Sequence, residues 1–258
     1  MPRKIAGYGW IPDLPDHRDL TYAAPVAALR SLPRKVDLRP KCPKVYDQLQ
    51  LGSCTANAIA GAIEFDLMKA KARKVFTPSR LFIYYNERAM EGSVKEDSGA
   101  QIRDGIKSAN KLGAPPEELW KYSDKNPGAF QKKPPKNVYT EAARHQVTSY
   151  QRVARSLGQF KGCLASGYPF VFGFTVYTAF EDEAVARTGK LDMPGPDEEV
   201  LGGHAVLTVG YDDSAERFIV RNSWGSGWGK KGYFTMPYSY LLEQNLSDDF
   251  WTIRTVET

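Results

Sequence analysis

Gln48-Leu49-Gln50-Leu51-Gly52-Ser53-Cys54-Thr55, running on into Ala56-Asn57-Ala58-Ile59-Ala60-Gly61-Ala62-Ile63, is the stretch around which the chain is organised. Ile59, Ile63 and Leu67 recur every four residues with alanine between them, the pattern of a buried helix. The helix opens at Ser53 or Cys54 and is expected to stop near Arg73, ahead of Val75, Phe76 and Pro78. A sulfur at a helix N-terminus is favoured as thiolate by the helix dipole and the free amides, and a neighbouring imidazolium would lower its pKa further. Taken alone, Cys54 reads equally well as a small buried hydrophobe.

Downstream of this helix two more are predicted, Ser79 to Glu91 and Ala100 to Leu112, the latter closed by Gly113 and Pro115-Pro116. Lys121 to Lys136, with Pro127, Pro134 and Pro135, reads as a solvated loop. After a short helix near Arg152 to Ala165, strand patterns take over at Phe170 to Val176, His204 to Tyr211, Arg217 to Asn222, Gly232 to Met236 and Asp248 to Arg254. The first half is therefore helical and the second sheet-rich, an α+β chain. His204 opens one of these strands and Asn222 closes the next. From Met1 to Pro40 six prolines and little helical periodicity predict an extended arm.

A chain of 258 residues can bury a core without disulfide staples, and its three cysteines are an odd count, which excludes a disulfide-rich scaffold. The net charge of +5, without a long basic tract, does not imply nucleic acid. No secretory signal or bilayer-spanning stretch is legible, so no membrane partner is expected, and a cytoplasmic location is the default unless a leader was removed. His17, His145 and His204 are scattered and no Cys-x-x-Cys pair occurs, so neither metal nor cofactor is expected. The glycines around Lys230 do not fit a phosphate loop, because Gly225 is one residue too near and Lys231 takes the Ser/Thr place. Whether Cys42 and Cys163 pair is left open.

Three segments together resemble the papain-like cysteine proteases. Gln48, Gly52, Ser53 and Cys54 match the nucleophile motif by position; Gly202-Gly203-His204-Ala205-Val206 with Val209-Gly210-Tyr211 is similar to the histidine strand; and Asn222-Ser223-Trp224-Gly225 with Gly227-Trp228-Gly229 and Gly232-Tyr233 is similar to the asparagine segment. The resemblance implies a two-lobe fold, a helical lobe facing an antiparallel, barrel-like sheet lobe across a cleft. It implies Cys54, His204, Asn222 and Gln48 as catalytic residues, with Gln48 donating to the oxyanion, and Ser53 and Trp224 as supports. Ser98, Gly99 and Gly203 are implied as substrate-binding positions, and bulky apolar side chains as the usual preference of the neighbouring pocket. Leu51 and Thr55 depart from the motif. Leu51 stands where the family has a cysteine, so the family's disulfide there cannot form.

The resemblance spans roughly Leu32 to Thr258, making 32–258 the peptidase domain and 1–31 an extension. Two readings of that extension stand side by side: a reduced propeptide packed over the cleft, with Tyr8, Trp10 and Ile11 as anchors, or a brace between the lobes. The implied activity is hydrolysis of peptide bonds through a thioester, by a monomer acting on peptide or protein substrates. A thiol acyltransferase or amidase on the same scaffold, and a catalytically silent peptide-binding homologue, are the alternatives.

Overall fold

The computed structural model describes residues 7–125 and 128–257; the first six residues of the expected arm and two of the predicted loop fall outside them. The arm supplies two short strands, β1 (Trp10–Ile11) and β2 (Thr21–Tyr22), and one turn of helix, α1 (Val26–Leu29). After β3 (Lys35–Asp37) comes the central helix α2 (Cys54–Lys69), in which thirteen of sixteen residues are buried. A helix apolar on every side belongs in a core rather than on a surface. It ends at Lys69, short of Arg73, because Lys71 turns the chain with a left-handed φ of 52°.

The two other predicted helices form as α3 (Arg80–Glu91) and, after the short β4 (Ala100–Gln101), α4 (Ile102–Leu112). The Ser79 hydroxyl caps α3 by accepting from the amide of Phe82. Gly92 and Gly113, at φ 76° and 77°, close α3 and α4. The predicted loop is followed by a helix that the proline pattern hid, α5 (Lys136–Ala142), for which Pro135 is the N-cap.

Beyond α5 the expectation of a helix from Arg152 is corrected. Residues Val147–Val153 form strand β5, and the helix α6 begins only at Leu157 and runs to Ala165. Arg152 and Gln151 sit in a ladder with Trp251 and Thr252, so tertiary pairing overrides a local pattern that carries little apolar alternation. The remaining elements are β6 (Phe170–Tyr177), α7 (Glu183–Thr188), β7 (Val200–Asp212), β8 (Arg217–Arg221), β9 (Tyr233–Pro237), α8 (Tyr238–Leu242) and β10 (Ser247–Val256).

The main sheet runs β2-β5-β10-β6-β7-β8-β9, an open path of mainly antiparallel neighbours, with β3 added beside β7. Its core is aromatic, with Phe160, Phe170, Phe172, Phe174, Phe218 and Phe250 buried and in ring contact. The helical lobe is laced to the sheet through residues 43–48. Arg221 donates to the carbonyls of Pro43 and Lys44 at 2.5 and 2.6 Å, and the Gln48 amide donates to the Ser223 carbonyl at 2.8 Å. Cys42, Cys54 and Cys163 are all free thiols. Among the described residues no helix is long and apolar enough to cross a membrane.

Candidate active site

Cys54 is the first residue of α2 and is fully buried. The amides of Ala205, Gly9 and Thr55 point at its sulfur and favour the thiolate, but burial outweighs them and pushes the thiol up to about 11. The thiolate expected at a helix N-terminus is thus suppressed in this arrangement, in which the arm lies over the sulfur. Gly9 belongs to that arm. Ala205 follows His204 on β7, so the same contact brings the histidine strand to the cysteine.

His204 Nε2 lies 2.8 Å from Asn222 Oδ1, with both residues buried. That oxygen also accepts the backbone amide of Ser223 at 2.8 Å, which identifies it as the carbonyl end of the side chain. Nε2 must then be the donor, and the asparagine fixes the tautomer as well as the tilt of the ring. Aromatic rings enclose the pair: Trp224 lies tilted against His204 with centroids 5.2 Å apart, and Phe174 and Phe180 stand at 5.8 and 6.1 Å. Water has little access to this bond.

Gln48 is fully buried at the end of the lacing segment. Its Oε1 accepts from Ser223 Oγ at 2.6 Å and its Nε2 donates to the Leu51 carbonyl at 2.9 Å, leaving the second N–H of the amide for another acceptor. The Gln48 carbonyl accepts from Tyr122 Oη at 2.7 Å, so Ser53 Oγ, 2.5 Å from the same phenol, must be the donor to it. Ser53 in turn accepts from Asn57 at 3.1 Å. The loop before Cys54 is held from its other side by Asp97, whose carboxylate accepts the Gly52 amide at 3.0 and 3.1 Å and the hydroxyl of Tyr84. The Gly99 amide donates to the same Tyr84 oxygen at 3.2 Å. Where the family resemblance implies a disulfide, this chain has a carboxylate clasp.

The loop carrying Asp97 and Gly99 is shaped by Arg88, a fully buried guanidinium that donates to the carbonyls of Tyr84, Val94, Glu96 and Phe130. Asp97, Tyr122, Ser223 and Arg88 were not singled out from the sequence. Asp97, Tyr122 and Ser223 act on residues far along the chain, Arg88 reaches Phe130 as well as its own neighbours, and no local periodicity marks any of them.

The arm passes directly through the cleft. β1 pairs in parallel with β4, and the Ala100 amide donates to the Gly9 carbonyl at 2.8 Å. Gly9 fits between Gly52 and Gly99 so closely that a Cβ on it would collide with the Gly52 carbonyl. Tyr8 donates to Glu181 at 2.6 Å and stands edge-on to His204, while Trp10 is buried against Gly173 and Gly203. Ile11, the third expected anchor, is exposed. Of the expected substrate-binding positions, Gly99 and Gly203 face the arm, whereas Ser98 turns its hydroxyl to Ser93 and to the Gly99 carbonyl within its own loop.

Beyond β1 the arm is fastened by charge. Asp13, Asp16 and Asp19 face Arg103, Lys107 and Arg152 at separations of 3.6 to 3.9 Å, and Asp13 also accepts from Trp251 at 2.9 Å.

The sequence profile described as papain family cysteine protease matches residues 32–247. The chain belongs to this family. It is similar across 99% of its length to xylellain, a cysteine protease from Xylella fastidiosa, with 47% identity, a TM-score of 0.93 and 98% of that chain covered. An uncharacterized peptidase C1-like protein of Acanthamoeba polyphaga mimivirus is 42% identical, over 96% of this chain and 87% of its own. Procathepsin B S9 from Trypanosoma congolense shares the fold alone, at 18% identity and a TM-score of 0.72, over 89% of this chain and 80% of that one. The papain-family two-lobe architecture is thus common to the solved relatives, and this chain is a cysteine peptidase of that family. The departures at Leu51 and Thr55 are accommodated locally: the Leu51 carbonyl holds Gln48, and the Thr55 hydroxyl donates to the buried Glu87 at 2.7 Å.

Proposed function

We propose that the chain hydrolyses peptide bonds with Cys54 as nucleophile, His204 as acid and base, Asn222 as the orienting partner and Gln48 as oxyanion donor. The observation that carries this reading is the buried His204–Asn222 bond on the strand whose next amide points at the Cys54 sulfur. With Nε2 donating to Asn222, Nδ1 is the ring nitrogen left to exchange a proton with sulfur and substrate. The Cys54 thiolate attacks the scissile carbonyl, and the oxyanion is met by the Cys54 amide and the spare N–H of Gln48. The C–N bond breaks as His204 gives its proton to the leaving amine. Water then attacks the thioester, His204 takes a proton from it, and the acid departs with the sulfur restored. Asparagine suffices as orienter because thiolate and imidazolium form an ion pair once the arm no longer covers the sulfur.

In this reading residues 1–31 are a latch rather than a lobe brace. Gly9 covers the sulfur, and β1 takes the edge of β4 that an extended substrate would pair with. Peptide turnover should therefore be low in the intact arrangement and rise when the latch is loosened. The test is mass labelling by an epoxide electrophile, with turnover of a peptide library, in the full chain, in Trp10→Ala and in Cys54→Ala. Label on Cys54 with turnover highest in Trp10→Ala is the expected result. Turnover that survives Cys54→Ala would overturn the assignment, and equal turnover with and without Trp10 would overturn the latch.

A further inference from the structure

Trp10 occupies a slot made by the sheet itself. A Cβ added at Gly173 on β6 would run into the indole ring, and one at Gly203 on β7 would run into the ring and carbonyl of Trp10. Two neighbouring strands thus give up their side chains to leave a hollow the thickness of an aromatic plane. The floor of the hollow is polar. Asp249, 1% exposed, accepts Trp10 Nε1 at 3.0 Å and the Asp13 amide at 2.8 Å on one carboxylate oxygen, and Arg152 at 3.0 Å on the other. Its backbone has a φ of 59° and lies where the β10–β6 ladder loses register between Asp248 and Trp251. A break of this kind re-aims a side chain, and a non-glycine residue held there is a strained position retained by its surroundings.

We propose that this slot receives a substrate side chain next to the scissile bond and selects a flat ring with a neutral N–H at its tip, tryptophan foremost, with Asp249 as the specificity-determining acceptor. The proposal rests on the peptidase reading and on the arm as a latch. When the arm leaves, one buried oxygen of Asp249 loses both of its N–H partners. A side chain that fills the slot without a donor leaves that oxygen bare, the circumstance in which sites discriminate most strongly. A cation is not what the floor lacks, because Arg152 already faces Asp249, and Arg155 faces Asp248 at 3.2 Å. Departure of Asp13 also uncovers Arg103, which further opposes an arginine or lysine tip. Trp10 directly follows Gly9, whose amide points at Cys54, so the slot lies one residue from the sulfur. The apolar preference implied by the family resemblance would not need such a floor.

Full-length Trp10→Ala empties the slot and keeps the arm, and Asp249→Gly removes the carboxylate at a backbone angle glycine accepts. Bonds cleaved in a peptide library, read by mass spectrometry, should show tryptophan at the slot position at least tenfold above phenylalanine, leucine or arginine in Trp10→Ala. In Trp10→Ala/Asp249→Gly tryptophan and phenylalanine should be level. Phenylalanine or leucine equal to tryptophan, arginine above it, or a tryptophan preference that survives Asp249→Gly would each overturn the proposal. Binding is read separately by NMR titration of folded Trp10→Ala with indole and with benzothiophene, which has the same shape and no N–H. Indole should bind at least tenfold more tightly, and equal binding overturns the role of Asp249. Failure of the peptidase reading looks different, as absence of cleavage in every variant while the two rings are still distinguished.

Discussion

On the helical side of the cleft Gly52, Ser53 and Gln48 are held by hydrogen bonds to Asp97, Tyr122 and Ser223, whereas on the sheet side His204 has its bond to Asn222 inside a cage of Phe174, Phe180 and Trp224. The two walls should fail in different ways. Removing one member of a buried polar network strands its partner, so the loss is abrupt and follows a single atom. An aromatic cage loses contact in proportion to the volume removed, and an isosteric ring largely preserves it. Cys54, the proposed nucleophile, is therefore positioned by direction, and His204, the proposed base, by shape.

The sharpest break in this comparison is at the sulfur. Cys54→Ala should cut peptide turnover by at least about four orders of magnitude, with helicity by circular dichroism unchanged. Next comes the clasp. Asp97→Ala frees the Gly52 amide and should lower kcat roughly 10- to 100-fold with little change in KM, because a misplaced nucleophile costs rate more than binding. Asp97→Asn, which keeps one acceptor, should recover part of that loss; a KM effect without a kcat effect would place Asp97 with the substrate instead. On the aromatic side Trp224→Phe should lower kcat less than about tenfold, and Trp224→Ala more, since only the latter opens the His204–Asn222 bond to water. Equal effects of the two would show that shape is not what holds the base.

The smallest expected effect is in pH. Asp13 on the arm is pushed up to about 7 by burial and by the neighbouring Asp249, against the pull of Arg103. Once the arm is free, Asp13 returns to its ordinary 3.8. The docked arm therefore binds a proton that the free arm releases above pH 4. Docking is favoured most below that pH and weakens as pH rises toward 7. Trp10 fluorescence or amide exchange at Ala100 should report a looser arm at pH 8 than at pH 5; a tighter arm at pH 8 would mean that the Asp16 and Asp19 ion pairs dominate instead.

The motifs at 48–55, 202–211 and 222–233 were legible because each keeps its chemistry within a dozen residues, and the period of α2 is carried by Ile59, Ile63 and Leu67 alone. Strand β5 was not, because Thr148, Ser149, Gln151 and Arg152 show no apolar alternation and become a strand only through β10 and β2. The clasp and the slot lay beyond sequence reasoning for a related reason. Asp97 meets Gly52 across 45 residues and Asp249 meets Trp10 across 239, and neither partner marks the other. The arm was legible as extended, and a seat over the cleft anchored by Tyr8, Trp10 and Ile11 was one of its two readings, but the closeness of the fit was not legible, because glycines at 9, 52, 99, 173 and 203 define it by what they lack.

The replacement of a disulfide by hydrogen bonds reaches beyond geometry. With three free thiols the fold has no disulfide for a reductant to open. Oxidation is a separate matter: the half-buried Cys42 is open to it in the intact chain, whereas the sulfur beneath Gly9 can be reached only when the arm lifts. Peroxide should thus convert Cys54 to sulfenic acid more slowly in the intact chain than in Trp10→Ala, in which case the segment proposed as a latch also preserves the sulfur it covers.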